Sequence, residues 1–348
     1  MALHEMFPDA PIYTAFVADG SAKKEFDKAG AKLIPSWANF ILKYKNFHSA
    51  FRFLIPLVWE SFDFSKYDVV ILSSSGYLTK PVRVPKHIKV ICYCHTPSRF
   101  LYGYDTSIEW KRYPLVNIYG HIVGHFLRLY DWLGAQRVDQ FIANSENVAR
   151  RIEKFYRKKS VVVYPPVEVS KLRATSYALQ AKGDYYLVAS RLVGEKGLPM
   201  VMEAANKLKL ELKVVGEKAG LQWENQAIEA KKSDNIEFLG RVSDEKLYKL
   251  YAQAKALLVL EKDVDFGITP VEAMAAGTPV IAYKNGGYLE TVIENITGMF
   301  FEEYNVESLV KAIKKFKGLR FNKKDCIERA KKFSKEVFVK KMKEVLYG

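Results

Sequence analysis

The sequence predicts an α/β protein made of two doubly wound parallel-sheet domains. Short apolar runs that end in polar residues recur in both halves, as buried parallel strands do. Helical patterns alternate with them, which is the order of βαβ units. A double proline, Pro165–Pro166, interrupts the chain near its middle and reads as a linker. At 348 residues the chain is too long for one ordinary core, so two domains are the default.

The elements follow in order. Val69 to Ser73 (VVILS), Val90 to Cys94 (VICYC) and Phe141 to Asn144 (FIAN) are strands of the first domain. Ser145 then stands where an N-cap belongs, before a helix Glu146–Tyr156. A fourth strand, Val161 to Tyr164, stops at the two prolines. The second series runs through a strand Tyr185–Ala189, a loop containing Lys196, a helix Met200–Leu208 and a strand Leu212–Val215 ending at Gly216. It continues with a strand Ile236–Leu239 ending at Gly240, a helix Glu245–Ala254 and a strand Ala256–Leu260. A last helix, Lys323 to Leu346, carries Ile327, Ala330, Phe333, Val337, Phe338, Met342 and Val345 on one stripe, which must pack on something. The expected division is 1–164, 165–322 and a C-terminal helix 323–348 crossing the junction. Two such domains leave a cleft at the carboxyl ends of their strands, where ligands bind.

Composition narrows the function. Hydrophobic residues make up 49% and charged residues 27%, a globular balance. No run reaches the roughly 18–20 apolar residues of a membrane span, and the N-terminus MALHEMFPDAP has no basic-then-apolar leader. Three cysteines, Cys92, Cys94 and Cys326, cannot build a disulfide framework, which points to a cytoplasmic setting. Cys92 and Cys94 with His95 invite a zinc reading, but no second ligand pair follows. The net charge of +15 suits anionic partners. Basic residues are interleaved with aromatics in two stretches: Lys23 to Trp59, and Arg99 to Trp132 with Phe100, Tyr102, Trp110, Lys111, Arg112 and Arg128. That composition fits an anionic membrane surface. No nucleic-acid motif accompanies it. The lysines from Lys314 to Lys332 read as solvated helix faces.

The densest signal is Phe266 to Gly298, FGITPVEAMAAGTPVIAYKNGGYLETVIENITG. A tight turn at Phe266–Gly267 joins a strand to a helix Pro270–Ala276. A Gly-Thr-Pro break, a strand Val280–Ala282 and a Gly286–Gly287 turn follow. Strand, turn and helix aim free amides and a positive dipole end at whatever sits above the turn, which makes an anion site suited to a diphosphate. Glu272 lies about one turn inside, in position to accept from a sugar hydroxyl. Arg191 and Lys196, in SRLVGEKGL after the strand Tyr185–Ala189, add a planar fork and a point charge for the same diphosphate. His95, after the strand Val90–Cys94, faces the cleft from the other half. An ordinary buried βαβ unit, a pair of surface cations and a structural histidine are the bland alternatives for these three features. There is no Ser-His-Asp set, Walker loop or GxGxxG, so hydrolase, kinase and dehydrogenase readings lose ground.

Together these segments resemble the retaining GT-B glycosyltransferases of glycosyltransferase family 4 (group 1), nearest to surface-polysaccharide mannosyltransferases. FPDAPIYT, CYCHTPSRFLYGYD, FIANSENVARRI, VVVYPPVEV, VASRLVGEKGL, NIEFLGRVSDEKL and the Phe266–Gly298 motif carry the resemblance, in the family's order. It implies two Rossmann-like domains facing a cleft. It also implies a nucleotide-sugar donor (GDP-mannose, with UDP- or ADP-sugars as alternatives), a glycan or lipid-linked acceptor, no metal and no cofactor. Arg191 and Lys196 would bind the donor diphosphate and Glu272 the ribose. Asp265, Phe266, Gly267, Ile268 and Thr269 would meet donor and phosphates, Arg241 and Val242 the base, and His95 the donor sugar.

Two departures qualify this. Counting back eight from Glu272, the family's first Glu falls at Val264; Glu261, Asp263 and Asp265 are nearby stand-ins. The family also opens with a strand and Gly-rich loop before a helix resembling MALHEMFPDAPIYT, and this chain begins inside that helix, so the N-domain reads as lacking its first strand. The leading expectation is sugar transfer at the cytoplasmic membrane face, with no nucleic acid involved. A catalytically weak relative serving as a binding subunit is the alternative, and a nucleotide-sugar epimerase is less favoured.

Overall fold

The structure is a computed structural model and describes residues 1–43, 50–75, 78–104, 106, 113–178, 183–191, 196–217 and 233–348. These form two compact units. The first holds the described residues of Met1–Tyr104, 113–144 and Val148–Val163; the second holds Thr106, Ser145–Asn147 and the described residues of Tyr164–Gly348. Every paired strand in either unit runs parallel, as the apolar runs predict.

The first unit opens on a short helix, Ala2–Met6. Strands β1 (Ile12–Thr14) and β2 (Leu33–Pro35) then pair in a small sheet of their own. Ile12–Thr14 is thus a strand, where the resemblance implies the end of a helix. The main sheet has the order β3 (Val69–Ser74), β4 (Lys89–Cys94), β5 (Gln140–Ala143), β6 (Ser160–Val162). Cys92 and Cys94 point into its core beside Leu72, Phe141 and Ile152, and burial pushes the Cys92 thiol well up. The unit also contains a long helix, Pro114–Gln136.

The second unit carries β7 (Tyr186–Ala189), β8 (Leu212–Val215), β9 (Ile236–Gly240), β10 (Leu257–Val259), β11 (Val280–Tyr283) and β12 (Gly298–Phe301), in the order β12-β11-β10-β7-β8-β9. Side chains alternate across a strand, and both faces are covered. Leu187, Leu257, Val259 and Val280 pack in one core, and Tyr186, Val188, Leu258 and Ile281 in another. A strand buried on both faces has no polar side, so these runs are apolar throughout. Strand order reverses between β7 and β10, the topological switch point where doubly wound sheets open a crevice at their carboxyl ends.

The expected single helix Lys323–Leu346 is two helices, Lys323–Lys331 and Lys335–Tyr347. Phe333 leaves the helical path to pack edge-on against Tyr164 and Phe266, with ring centroids at 5.1 and 5.4 Å. Ser334 takes extended backbone and caps the second helix through the Val337 amide. Both helices belong to the second unit, where Cys326, Ala330 and Phe333 join the core beneath the helix Ile268–Ala275.

Candidate functional site: the switch point of the second sheet

The chain leaves β7 at Ser190 and Arg191 and leaves β10 at Leu260 and Glu261. From Glu261 it turns into the helix Ile268–Ala275, whose N-cap Gly267 is left-handed at φ 87°. No side chain caps this helix, and its first turn holds no acidic residue. Its leading amides have no intrahelical partners and sit at the positive end of the dipole.

The turn before the helix is braced from several sides. Phe266 is buried beside Tyr164, centroid to centroid 5.4 Å. The Gly287 amide donates to the Val264 carbonyl at 2.9 Å. A Cβ on Gly287 would come within 2.4 Å of the Phe266 backbone, so only glycine lets the two turns approach. Asn147 Nδ2 donates to the Val264 carbonyl at 2.9 Å and Ser145 Oγ to the Asp265 carbonyl at 2.6 Å. The expected Gly-Gly turn therefore acts as a packing device for the 264–267 segment.

Glu272 lies one turn into the helix and accepts a hydrogen bond from the Tyr251 hydroxyl at 2.8 Å. Burial pushes this carboxyl above the usual range, and the Tyr251 bond pulls part of the way back. The Thr278 hydroxyl holds the Tyr251 carbonyl at 2.6 Å, and Tyr251 itself is fully buried. Sequence reasoning placed Tyr251 on a helix but gave it no role, because a tyrosine on an apolar helix face has no distinctive spacing.

Lys196 forms an ion pair with Glu261, their side chains 18% and 14% exposed. Glu261, a nearby stand-in for the Val264 position, is thus held to an expected phosphate-binding cation. Val264 itself is buried in the core. Arg191 is exposed at the end of β7; the loop residues 192–195 between it and Lys196 lie outside the described residues. Arg241 follows β9 and pairs with Glu217 at 3.4 Å, both well exposed. Val242 packs on the same core as Phe266. The structure thus gathers Arg191, Lys196, Asp265, Phe266, Gly267, Ile268, Thr269 and Glu272 at the carboxyl ends of β7 and β10. Arg241 and Val242 stand two strands away.

His95 belongs to the first unit, just past β4. Its amide donates to the Ser74 carbonyl at 2.8 Å. Its Nε2 lies 2.9 Å from Ser73 Oγ, and its ring meets Tyr93 edge-on at 5.1 Å. It stands at a strand carboxyl end, as the sequence predicts.

Residues 6–171 match the family described as Glycosyltransferase Family 4, and residues 173–333 match Glycosyl transferases group 1. Neither match takes in half of the chain by itself, but they follow one another along its two halves, and the two parallel-sheet units are those of the GT-B fold. An uncharacterized glycosyltransferase of Methanocaldococcus jannaschii is 27% identical over 201 residues, 57% of this chain and 55% of that protein. The alpha-1,3/1,6-mannosyltransferase ALG2 of Dictyostelium discoideum is 24% identical over 279 residues, 68% of this chain and 64% of its own. The chain thus spans 55% and 64% of the length of these curated relatives. Among solved structures, Anabaena HepE in complex with UDP and glucose superposes with a TM-score of 0.68 at 16% identity, covering 99% of this chain and 94% of that one. Sucrose-phosphate synthase from Thermosynechococcus elongatus gives 0.70 at 18%, covering 99% and 90%. At these identities the likeness is one of fold.

Proposed function

We propose that this protein moves a sugar from a nucleotide-sugar donor to a glycan or lipid-linked acceptor, retaining the anomeric configuration and using no metal. The observation that carries the reading is the uncapped helix start at Gly267–Thr269, placed at the sheet's switch point in the same unit as Arg191 and Lys196. In this reading the donor diphosphate rests on the amides of Gly267, Ile268 and Thr269, with Asp265 and Phe266 shaping the turn beneath it. Arg191 and Lys196 neutralise its charge, Glu272 accepts from the ribose, Arg241 and Val242 border the base, and His95 approaches the sugar. The acceptor hydroxyl attacks the anomeric carbon from the face the diphosphate leaves. The carbon–oxygen bond to phosphate breaks, its electron pair stays on the phosphate oxygen, and that oxygen takes the hydroxyl proton. Charge grows on the departing diphosphate, where fixed cations and a helix dipole stabilise it most.

GDP-mannose is the first candidate donor, supported by the mannosyltransferase among the relatives. The structural neighbour with UDP and glucose keeps a uridine donor open, and ADP-sugars complete the set. The site of action in this reading is the cytoplasmic face of an anionic membrane. Thermal-shift titration with GDP, UDP and ADP tests the donor. One nucleotide should stabilise the protein by about 2.7 kcal/mol at a hundredfold excess over its dissociation constant, and Arg191→Ala or Lys196→Ala should abolish the shift. Indifference to all three nucleotides would remove this reading.

Two observations favour a second reading, a nucleotide-sugar-binding relative of low turnover. An apolar side chain is buried at position 264, where the family's first Glu belongs, and Glu261 engages Lys196. Nucleotide binding without sugar release from any conjugate would sustain it.

A further inference from the structure

The helix Pro114–Gln136 packs into the first unit with an unusual face. Its buried residues are Gly124, Leu127, Asp131, Gly134 and Ala135. Asp131 forms a fully buried ion pair with Lys80 at 2.8 Å. It also accepts from the hydroxyls of Tyr102 at 2.9 Å and Tyr156 at 2.7 Å. Lys80 Nζ donates in turn to Ser74 Oγ at 3.1 Å. A Cβ on Gly134 would stand 2.5 Å from the Pro81 ring. A buried charge that finds its partners in one orientation, and a glycine that admits a backbone neighbour in one orientation, fix the helix's rotation about its axis.

That rotation turns most of the large apolar residues outward, Leu127 excepted. Leu115, Ile118, Ile122, Phe126, Leu129 and Leu133 are three or four residues apart, form one stripe, and are 46% to 83% exposed. Scattered exposed leucines are ordinary, but a continuous stripe marks an interaction surface. The stripe extends sideways. The Tyr130 hydroxyl donates to the Pro56 carbonyl at 3.2 Å, which brings exposed Phe53 and Leu57 alongside.

We propose that this face docks the protein on an anionic lipid bilayer, lying in the interface without crossing it. Charge selects the partner. The helix's one carboxylate, Asp131, is buried, while Arg128, His121 and His125 are exposed on it. Arg52 stands nearby over the Phe100 ring at 4.3 Å. Glu60, which accepts from the Tyr130 hydroxyl at 3.3 Å at the edge of this face, is paired with Arg83 at 3.2 Å. What the face presents is therefore apolar and aromatic side chains with a surplus of cations, the composition of an interfacial helix. A second copy would bring like charges together. Among the described residues no helix is long and apolar enough to cross a membrane. This deepens the membrane part of the reading above and rests on it only for its purpose.

Vesicle flotation tests the proposal, comparing phosphatidylcholine mixed with phosphatidylglycerol against phosphatidylcholine alone. Wild type should float with the mixed vesicles at low salt and release as salt rises. Ile122→Glu with Phe126→Glu should bind at least about tenfold more weakly, since two large side chains no longer enter the interface, and should keep the wild-type melt and nucleotide response. An intact nucleotide shift with no flotation of wild type would overturn the docking and leave the transferase reading standing. Sedimentation showing a wild-type dimer that the double substitution dissociates would overturn it in favour of a copy–copy interface.

Discussion

Two helices, one in each unit, put their apolar stripes on opposite sides. In the second unit, Val306–Lys317 buries Leu309, Ala312, Ile313 and Phe316 and sends its last-turn lysines to solvent. In the first unit, Pro114–Gln136 buries a carboxylate, two glycines, Leu127 and Ala135 and sends most of its large apolar residues out. Hydrophobic pattern decides which face goes inward when nothing stronger competes. A buried ion pair with several hydrogen-bonding partners is stronger, because leaving one charge unpaired costs more than exposing a leucine. Polar burial thus sets orientation in the first unit, while in the second the ion pair Lys196–Glu261, less deeply buried, stands at the switch point.

The most damaging way to break this contrast is to unpair the Lys80–Asp131 couple. Burial drives the Lys80 ammonium down, and the charge and hydrogen bond of Asp131 together with the neighbouring Cys94 and Cys92 more than offset it, so Lys80 stands above the ordinary lysine value. Lys80→Met would leave the Asp131 carboxylate buried with two tyrosine donors and no counter-charge, at a cost of about 3–5 kcal/mol. Asp131→Leu added to it should recover much of that loss, since apolar replacements of buried pairs are often near neutral. Denaturant melts of the two variants check this. Equal stabilities would show that the pair does not govern the helix.

How much of this was legible in the sequence depended on where the deciding contact lay. β7 and β10 were legible because strands buried on both faces are unbroken apolar runs. The turn at Phe266–Gly267 was legible because its glycines answer local backbone demands. β1 and β2 were not, being three residues each beside Pro11 and Pro35, too short for a period to show. The stretch Arg99–Trp132 was noticed for its composition, part of it (Trp110, Lys111 and Arg112) outside the described residues. Its helix rotation was invisible, because Lys80 and Pro81 set it from far upstream. The helix break at Phe333–Ser334 was hidden in the same way: a stripe at helical spacing continues through it, and only the rings of Tyr164 and Phe266 draw Phe333 aside. The partners of Glu272 and Lys196 are also long-range.

The next perturbation falls on the Tyr251–Glu272 pair of the second unit. Tyr251→Phe removes the hydroxyl that Glu272 accepts from, which should cost about 1.5–3 kcal/mol for a bond to a charged group. The pH dependence has a definite sign. Glu272 is raised in the folded state, so its contribution is fully favourable below the ordinary glutamate value and is lost as pH rises through the folded value. Without the Tyr251 bond the carboxylate form is disfavoured further. The gap in melting temperature between variant and wild type should therefore widen from acid to neutral pH. A constant gap would mean that the hydroxyl serves packing alone.

The smallest expected effect on stability belongs to the pair most open to exchange. Lys196 and Glu261 keep 18% and 14% exposure, unlike Lys80 and Asp131 with none. Glu261→Gln retains the shape and an acceptor and should cost about 1 kcal/mol or less. Its effect on nucleotide binding should be larger. A diphosphate that takes Lys196 as a counter-ion must compete with the Glu261 carboxylate, and the neutral amide competes less. Titration of the variant should give nucleotide affinity several-fold above wild type, steepest at low salt where charge competition is least screened. A fall in affinity would reverse the assignment and make Glu261 the residue that aims Lys196 at the phosphate. In that case the switch point would be organised as the first unit is, with a fixed ion pair setting geometry, and the contrast between the two units would narrow to their helices.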